Sequence, residues 1–260
     1  TLTALIERYG SRLTGLPEGT EFPLLLKLLA AKGTLSVQVH PDDEYAKAHE
    51  NKLGKTEAWV ILHAEEGASL LYGIREGVTI DDLRRALTGG EDVEPLIQRV
   101  PVKAGDVFYM PAGMVHAIGG GILLYEIQQS SDVTYRLWDF NRVNDKGEKR
   151  PLHIRQSLDV IRPELKGQRA HMPEHPAQES TRLLDVPAFT LDCVAADGAC
   201  ILPAAETFRV LTALEPLTLR WREGEMELKA GDTVLLPAAC PEVGLEGHGR
   251  ALVSGVGRNA

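Results

Sequence analysis

The sequence predicts a mainly β protein, a sandwich or barrel with a few short helices, followed by a second, smaller β module. Three observations carry this expectation. From Pro23 onward, short alternating or apolar runs recur between Gly and Pro turns. Residues 162–180 form a polar, proline-rich stretch that reads as a linker or irregular crossover. The third is a repeat: Val102-Lys-Ala-Gly-Asp-Val-Phe-Tyr-Met-Pro-Ala112 aligns with Leu228-Lys-Ala-Gly-Asp-Thr-Val-Leu-Leu-Pro-Ala238, keeping Lys, Ala, Gly, Asp, Pro and Ala in register. The expected division is 1–161, a linker at 162–180, and 181–260.

Each element has its own signal. Leu2, Leu5, Ile6 and Tyr9 recur at helical intervals and stop at Gly10, which predicts a short helix. Residues 35–40 alternate strictly, with Leu35, Val37 and Val39 on one face of a strand and Ser36, Gln38 and His40 on the other. Pro41-Asp42-Asp43 caps a helix at 44–50, inserted before a strand at 56–63. Thr79-Ile-Asp-Asp82 opens another helix that ends at Gly89-Gly90. Further strands are expected at 96–102, 107–110, 122–128 and 133–140.

Composition narrows the classes of function. The 260 residues suffice for a large core, and 43% hydrophobic with 25% charged residues is ordinary for a globular chain. A net charge of −9 argues against a large nucleic-acid or anionic-membrane surface, while leaving room for a small anionic substrate held by a few cations. No apolar run reaches the roughly 18 residues of a spanning helix, and Lys27 interrupts the most apolar one. Cys193, Cys200 and Cys240 lack paired Cys-x-x-Cys spacing and read as inert thiols of a reducing, cytoplasmic compartment.

The sharpest chemical signal is Gly105-x5-Pro111-x-Gly113-x2-His116. Gly105 and Asp106 make a hairpin turn, a strand follows, and Pro111 and Gly113 shape a tight turn that delivers His116 inward. The spacing resembles the second signature of the cupin superfamily, a jelly-roll barrel. Gln38-Val-His40 stands where the first signature usually has His-x-His; residues two apart on a strand face the same way, so both can reach one ion. His40, Glu57 and His116 then offer two imidazoles and a carboxylate, with Gln38 as a possible fourth ligand. In the repeat His116 falls opposite Glu242 and Gly113 opposite Ala239, so the second module is expected to be a degenerate cupin-like domain without metal.

Residues 35–43, Gly54-Lys-Thr-Glu-Ala-Trp59, the Pro-Ala-Gly-Met-Val-His116 turn and Ser131-Asp-Val-Thr-Tyr-Arg136 occur in the order typical of type I mannose-6-phosphate isomerases, and the compact length resembles the short bacterial form. That resemblance implies Zn2+, or another divalent metal, held by Gln38, His40, Glu57 and His116. It implies an active-site arginine at Arg136, with Asp132 and Lys55 as further polar candidates, and a small phosphorylated sugar as substrate. Asp132, Thr134 and Arg136 are expected on one strand face. The chain begins at Thr1 and lacks the Trp-Gly and Gly-Glu-Trp elements that precede the first helix in that family, which implies either an absent natural start or a trimmed member.

Two rivals share the ligand set. Two histidines and a carboxylate also serve non-haem iron oxygenases; a non-catalytic cupin that binds a sugar phosphate or metal is the other. Gln38 and the Lys55 and Arg136 pair suit the isomerase better. His171 and His175 read as exposed linker residues, residues 81–85 as a solvated helix face, and Trp59 and Trp138 as core packing or a sugar platform.

Overall fold

A computed structural model describes residues 1–173 and 180–258. The chain divides into two compact units, Leu25–His171 and a second formed by Thr1–Leu24 with Met172–Ala260. In chain order the first elements are α1 (Leu2–Tyr9), α2 (Ser11–Thr14), β1 (Leu24–Ala31), β2 (Val37–Val39), α3 (Asp43–Glu50), β3 (Glu57–Ala64), β4 (Ser69–Ile74) and α4 (Ile80–Gly89). Next come β5 (Ile97–Pro101), β6 (Asp106–Met110), β7 (His116–Ile118), β8 (Ile122–Gln129), β9 (Tyr135–Trp138), α5 (Ile154–Val160) and β10 (Gln168–His171). The second unit adds β11 (Ser180–Asp185), β12 (Phe189–Leu202), β13 (Arg209–Ala213), β14 (Leu217–Trp221), β15 (Gly224–Leu228), β16 (Thr233–Leu236) and β17 (Val243–Val256). The fold is mainly β, as the sequence predicts.

The helices form where their caps dictate. Asp42 accepts the Tyr45 N–H at the start of α3, Asp43 and Glu44 occupy its first turn, and Asn51 closes it at φ 52°. Thr79 and Asp82 form a reciprocal capping box on α4, and Gly90 ends it at φ 71°.

The first unit holds two antiparallel five-stranded sheets, ordered β1-β8-β3-β6-β10 and β5-β4-β7-β2-β9. In the second sheet Tyr72, His116, Gln38 and Arg136 are successive Cα partners across β4, β7, β2 and β9. Direct cross-strand partners share a face, so these residues form one row. In the first sheet Glu57 pairs with Gln128 and Trp59 with Glu126, forming a second row pair on one face.

The two units do not follow the expected limits. Residues 1–24 group with the second unit because Ala238 and Ala239 donate to the carbonyls of Leu13 and Arg12 at 2.9 and 3.0 Å, and Phe208 donates to Thr14 at 3.0 Å. Residues 168–171, expected in the linker, form β10 and pair with β6 in the first unit. Residues 174–179 of the expected linker, His175 among them, lie outside the described residues.

The second unit is a seven-stranded assembly in which β12 and β17 pair along 14 residues. Its core includes Val194, Leu202, Leu211, Leu219, Leu245 and Val253. The repeat seen in the sequence is one turn built twice. Gly105 and Gly231 both adopt φ 90°, and Asp106 and Asp232 accept the N–H of Lys103 and Lys229 at 2.9 and 2.8 Å. The glycine N–H groups donate to Ile61 and Ala213, each at 2.8 Å.

Candidate metal centre

His40, Glu57 and His116 converge although three separate segments supply them. β3 opens with Glu57, β7 with His116, and His40 follows β2 directly. Among the described residues they are the one set of three whose ligand atoms lie within 4.8 Å of one another. The His40 and His116 Nε2 atoms stand 3.5 and 3.1 Å from the Glu57 carboxylate. The backbone holds this arrangement: Gly113 N–H donates to the His40 carbonyl at 2.8 Å, so the turn that presents His116 also anchors His40. Gly113 sits at φ +88°, and a Cβ there would meet Arg162 Cγ at 2.9 Å and the Val160 carbonyl at 3.0 Å, which explains glycine at this position.

The tautomers follow from the backbone. His40 Nδ1 lies 2.9 Å from the Val133 carbonyl and His116 Nδ1 2.9 Å from the Met114 carbonyl. A carbonyl oxygen only accepts, so each Nδ1 carries the proton and each Nε2 lone pair faces Glu57. Burial, reinforced by the Lys55 charge, pushes the His40 imidazole well below its usual pKa and keeps it neutral. Burial opposes ionisation of Glu57, yet the carboxyl is held well below the usual range, with the Lys55 charge foremost among the groups that favour its ionised form.

The residues present fit a divalent cation. His40 Nε2 and Glu57 Oε1 are buried without a hydrogen-bond partner, while Lys55 Nζ stands 2.8 Å from Glu57 Oε2. Orphaned acceptors of this kind cost several kcal/mol per buried charge unless a cation satisfies them, and two nitrogens with a carboxylate are a borderline-metal donor set. Gln38, half-buried, has its amide nitrogen 3.5 Å from His116 Nε2; an amide flip presents its oxygen to the same centre.

The other predicted residues distribute unevenly. Lys55 is buried and its Nζ lies 2.8 Å from Glu57, so it belongs to the centre. Arg136 sits next to Gln38 in the cross-strand row, about 10 Å from His116 at two strand spacings. It donates to the Pro151 carbonyl at 2.9 Å, while its Nε is buried without a partner. Burial and the nearby Arg150 lower the pKa of its guanidinium. Asp132 is not brought in: β9 begins at Tyr135, so the expected alternation does not extend back to it. Its side chain is 76% exposed and pairs with Lys52 at 2.7 Å, which lowers its pKa.

Trp59 is core: it is fully buried, stands edge-on to His116 with ring centroids 5.3 Å apart, and donates to Glu126 at 3.0 Å. Trp138 is also buried. His171, on β10, pairs with Asp106 at 2.9 Å. Sequence reasoning missed a network on the Glu57 face, where Lys27 Nζ contacts Glu126 at 2.6 Å and Gln128 at 2.5 Å. Its signal was the lysine that interrupts the apolar run of β1.

The phosphomannose isomerase type I catalytic-domain model matches residues 3–56. A mannose-6-phosphate isomerase of Streptococcus mutans is 52% identical over 149 residues, 57% of this chain and 46% of that protein, so the chain matches about half the length of that relative. The mannose-6-phosphate isomerase ManA of Bacillus subtilis is 41% identical over 98% of this chain and 81% of its own length. Among solved structures, mannose 6-phosphate isomerase from Bacillus subtilis superposes with a TM-score of 0.88 at 30% identity, covering 96% of this chain and 81% of that one. A mutant phosphomannose isomerase from Salmonella typhimurium, 16% identical with a TM-score of 0.78, shares the fold over 99% of this chain and 86% of its own. With a 41% identical relative covered over four-fifths of its length, the chain belongs to the type I mannose-6-phosphate isomerase family.

Proposed function

We propose that this chain interconverts mannose 6-phosphate and fructose 6-phosphate, using zinc held by His40, Glu57, His116 and Gln38. The observation that carries the reading is the buried triad with its unsatisfied acceptors, in a chain of this family. A zinc ion bound there would polarise the hydroxyl and carbonyl oxygens of the open-chain sugar. The remaining chemistry falls to side chains.

Aldose–ketose interconversion moves a proton between C1 and C2 through an enediol, so a group must take and return that proton while negative charge on oxygen is stabilised. Lys55 supports the proton-transfer role better than Asp132, being buried at the centre while Asp132 faces solvent. As the ammonium that pairs with Glu57, Nζ would act as the acid, donating its proton to the sugar oxygen that gains charge as the enediol forms. Arg136 has a buried Nε with no protein partner, a donor suited to the enediolate or the phosphate. Its two neighbours Arg142 and Arg150 both pair with Asp139, so Arg136 forms no direct ion pair with that carboxylate among the described residues.

Among the described residues no helix is long and apolar enough to cross a membrane. The three free cysteines support the proposed reducing, cytoplasmic setting. The deciding experiment is a coupled assay that follows fructose 6-phosphate from mannose 6-phosphate on zinc-replete protein. Turnover that disappears with a chelator and returns with zinc is expected; absence of turnover with stoichiometric bound zinc refutes the reading.

A further inference from the structure

The second unit contains a cavity of about 630 Å3. Its size is that of small-molecule sites. It opens at one end of the second unit's core, since Val194, Leu202 and Val253 line it and also belong to that core.

Two arginines line the cavity, and their charges are matched differently. Arg182 donates from Nε to Asp192 and lies 3.5 Å from Asp185, so two carboxylates compensate it. Arg209 forms no ion pair among the described residues. Its hydrogen bond runs from Nη2 to the Pro203 carbonyl at 2.7 Å, and its Nε is buried without a partner. Asp192 acts on the Arg209 charge from a distance but is bonded to Arg182, so a half-buried guanidinium with an unused Nε donor and no ion pair of its own lines the cavity, and an oxyanion is the group that matches its charge and planar donor geometry.

The space beside Arg209 is built into the sheet. Thr190, Gly255 and Arg209 are successive Cα partners across β12, β17 and β13. A Cβ on the central residue would lie 2.8 Å from Thr190 Oγ1 and 4.0 Å from Arg209 Cγ. Gly255 is not among the residues with positive φ, so glycine serves room here rather than backbone conformation. Thr190 and Thr207 add hydroxyls to the lining, which suits a ligand that carries polar groups as well as charge.

We propose that this cavity is a second ligand site, taking a small molecule whose phosphate or carboxylate group pairs with Arg209. All its lining residues lie in the second unit, so the proposal stands apart from the metal centre.

The test uses the full zinc-loaded chain labelled with 15N arginine. Inorganic phosphate and succinate are titrated separately against a chloride control, and the Arg209 Nε–H resonance is followed, assigned by its loss in Arg209→Met. A saturable shift is expected, and the probe that saturates at the lower concentration identifies the anion class. By calorimetry, Arg209→Met should weaken binding about tenfold or more, the effect of losing one charge-assisted contact. Gly255→Val should abolish the shift by filling the space, with Gly255→Ala as the milder substitute if the valine variant does not fold. Arg209→Met and the Gly255 variant used should keep the wild-type amide spectrum of the second unit outside the cavity, which reports that this unit is folded. A non-saturating drift common to all three salts, or a saturable shift unchanged in the folded Gly255 variant, overturns the site.

Discussion

Lys55 and Glu57 offer the most direct test of the centre, because their interaction can be sized from geometry. Nζ and Oε2 lie 2.8 Å apart, with side chains 7% and 0% exposed. At an effective dielectric of about 20 that separation corresponds to a gross attraction of about 6 kcal/mol. Removing one member of such a buried pair typically costs about 3–5 kcal/mol, since the other charge is left stranded. Lys55→Met and Glu57→Gln preserve volume, so each single variant of chelator-treated protein should lose stability on that scale. The double variant strands neither charge and should cost less than the sum of the singles by about 2 kcal/mol or more. Chemical denaturation of the four proteins gives this coupling. Restoring zinc should reduce the cost of Lys55→Met, because a cation then balances Glu57. Additivity within about 0.5 kcal/mol would refute the pairing and the electrostatic account of the centre.

Four further outcomes follow from the same geometry. His116→Ala should lose most of its bound zinc by elemental analysis, whereas His171→Ala, whose imidazole pairs with Asp106, should keep it. Arg136→Ala should retain zinc and fold but lose turnover by about 10²-fold if the guanidinium stabilises the enediolate; if it anchors phosphate, the loss appears mainly in KM. Gly113→Ala should lower stability by about 1–2 kcal/mol from its positive φ alone and weaken zinc binding through the displaced His40, as read by calorimetry. Asp139 has a depressed pKa: burial opposes its charge, but hydrogen bonds from Arg150 and Arg142 prevail. Its stabilisation is therefore complete above the ordinary aspartate value of about 4 and lost as pH falls through the lower folded value, so the Tm difference between wild type and Asp139→Asn should shrink on acidification below about pH 4.

What the sequence revealed depended on whether local chemistry determined the result. The caps of α3 and α4 announce themselves through Asp42, Thr79 and Asp82, and their side chains make the predicted bonds. Gln38 and His40 were legible from strict alternation, although regular pairing is confined to Val37–Val39. β4 escaped because Ser69-Leu-Leu-Tyr-Gly73 is buried throughout and shows no period of two. β10 escaped for the opposite reason. It is a polar edge strand, Gln168-Arg-Ala-His171, whose Arg169 lies over the rings of Tyr72 and Phe108 at 5.2 and 5.7 Å. Asp132 was misplaced by projecting alternation across 133–140, whereas positive φ at Phe140 and Asn141 and the late start of β9 shorten that strand. The Lys27 network required knowing that β1 lies beside β8, a long-range pairing that no local pattern encodes.

The repeat separates scaffold from chemistry. Both copies keep the Lys-Ala-Gly-Asp turn with the same glycine φ and the same aspartate bond, and both continue through a proline turn, Met114 N–H to Pro111 and Cys240 N–H to Pro237 at 3.1 and 2.9 Å. They diverge after that turn. Gly113 takes positive φ and binds the His40 carbonyl, whereas Ala239 is not among the residues with positive φ, and its N–H goes to Arg12. His116 is then buried against Glu57, while Glu242 at the equivalent position is exposed. A turn that recurs with its bonds intact is evidence that it serves the hairpin itself, so its presence predicts a β module and nothing about a metal. The residue at the glycine position, which decides where the backbone goes next, and the histidine three positions later are what convert one copy into a ligand-bearing site.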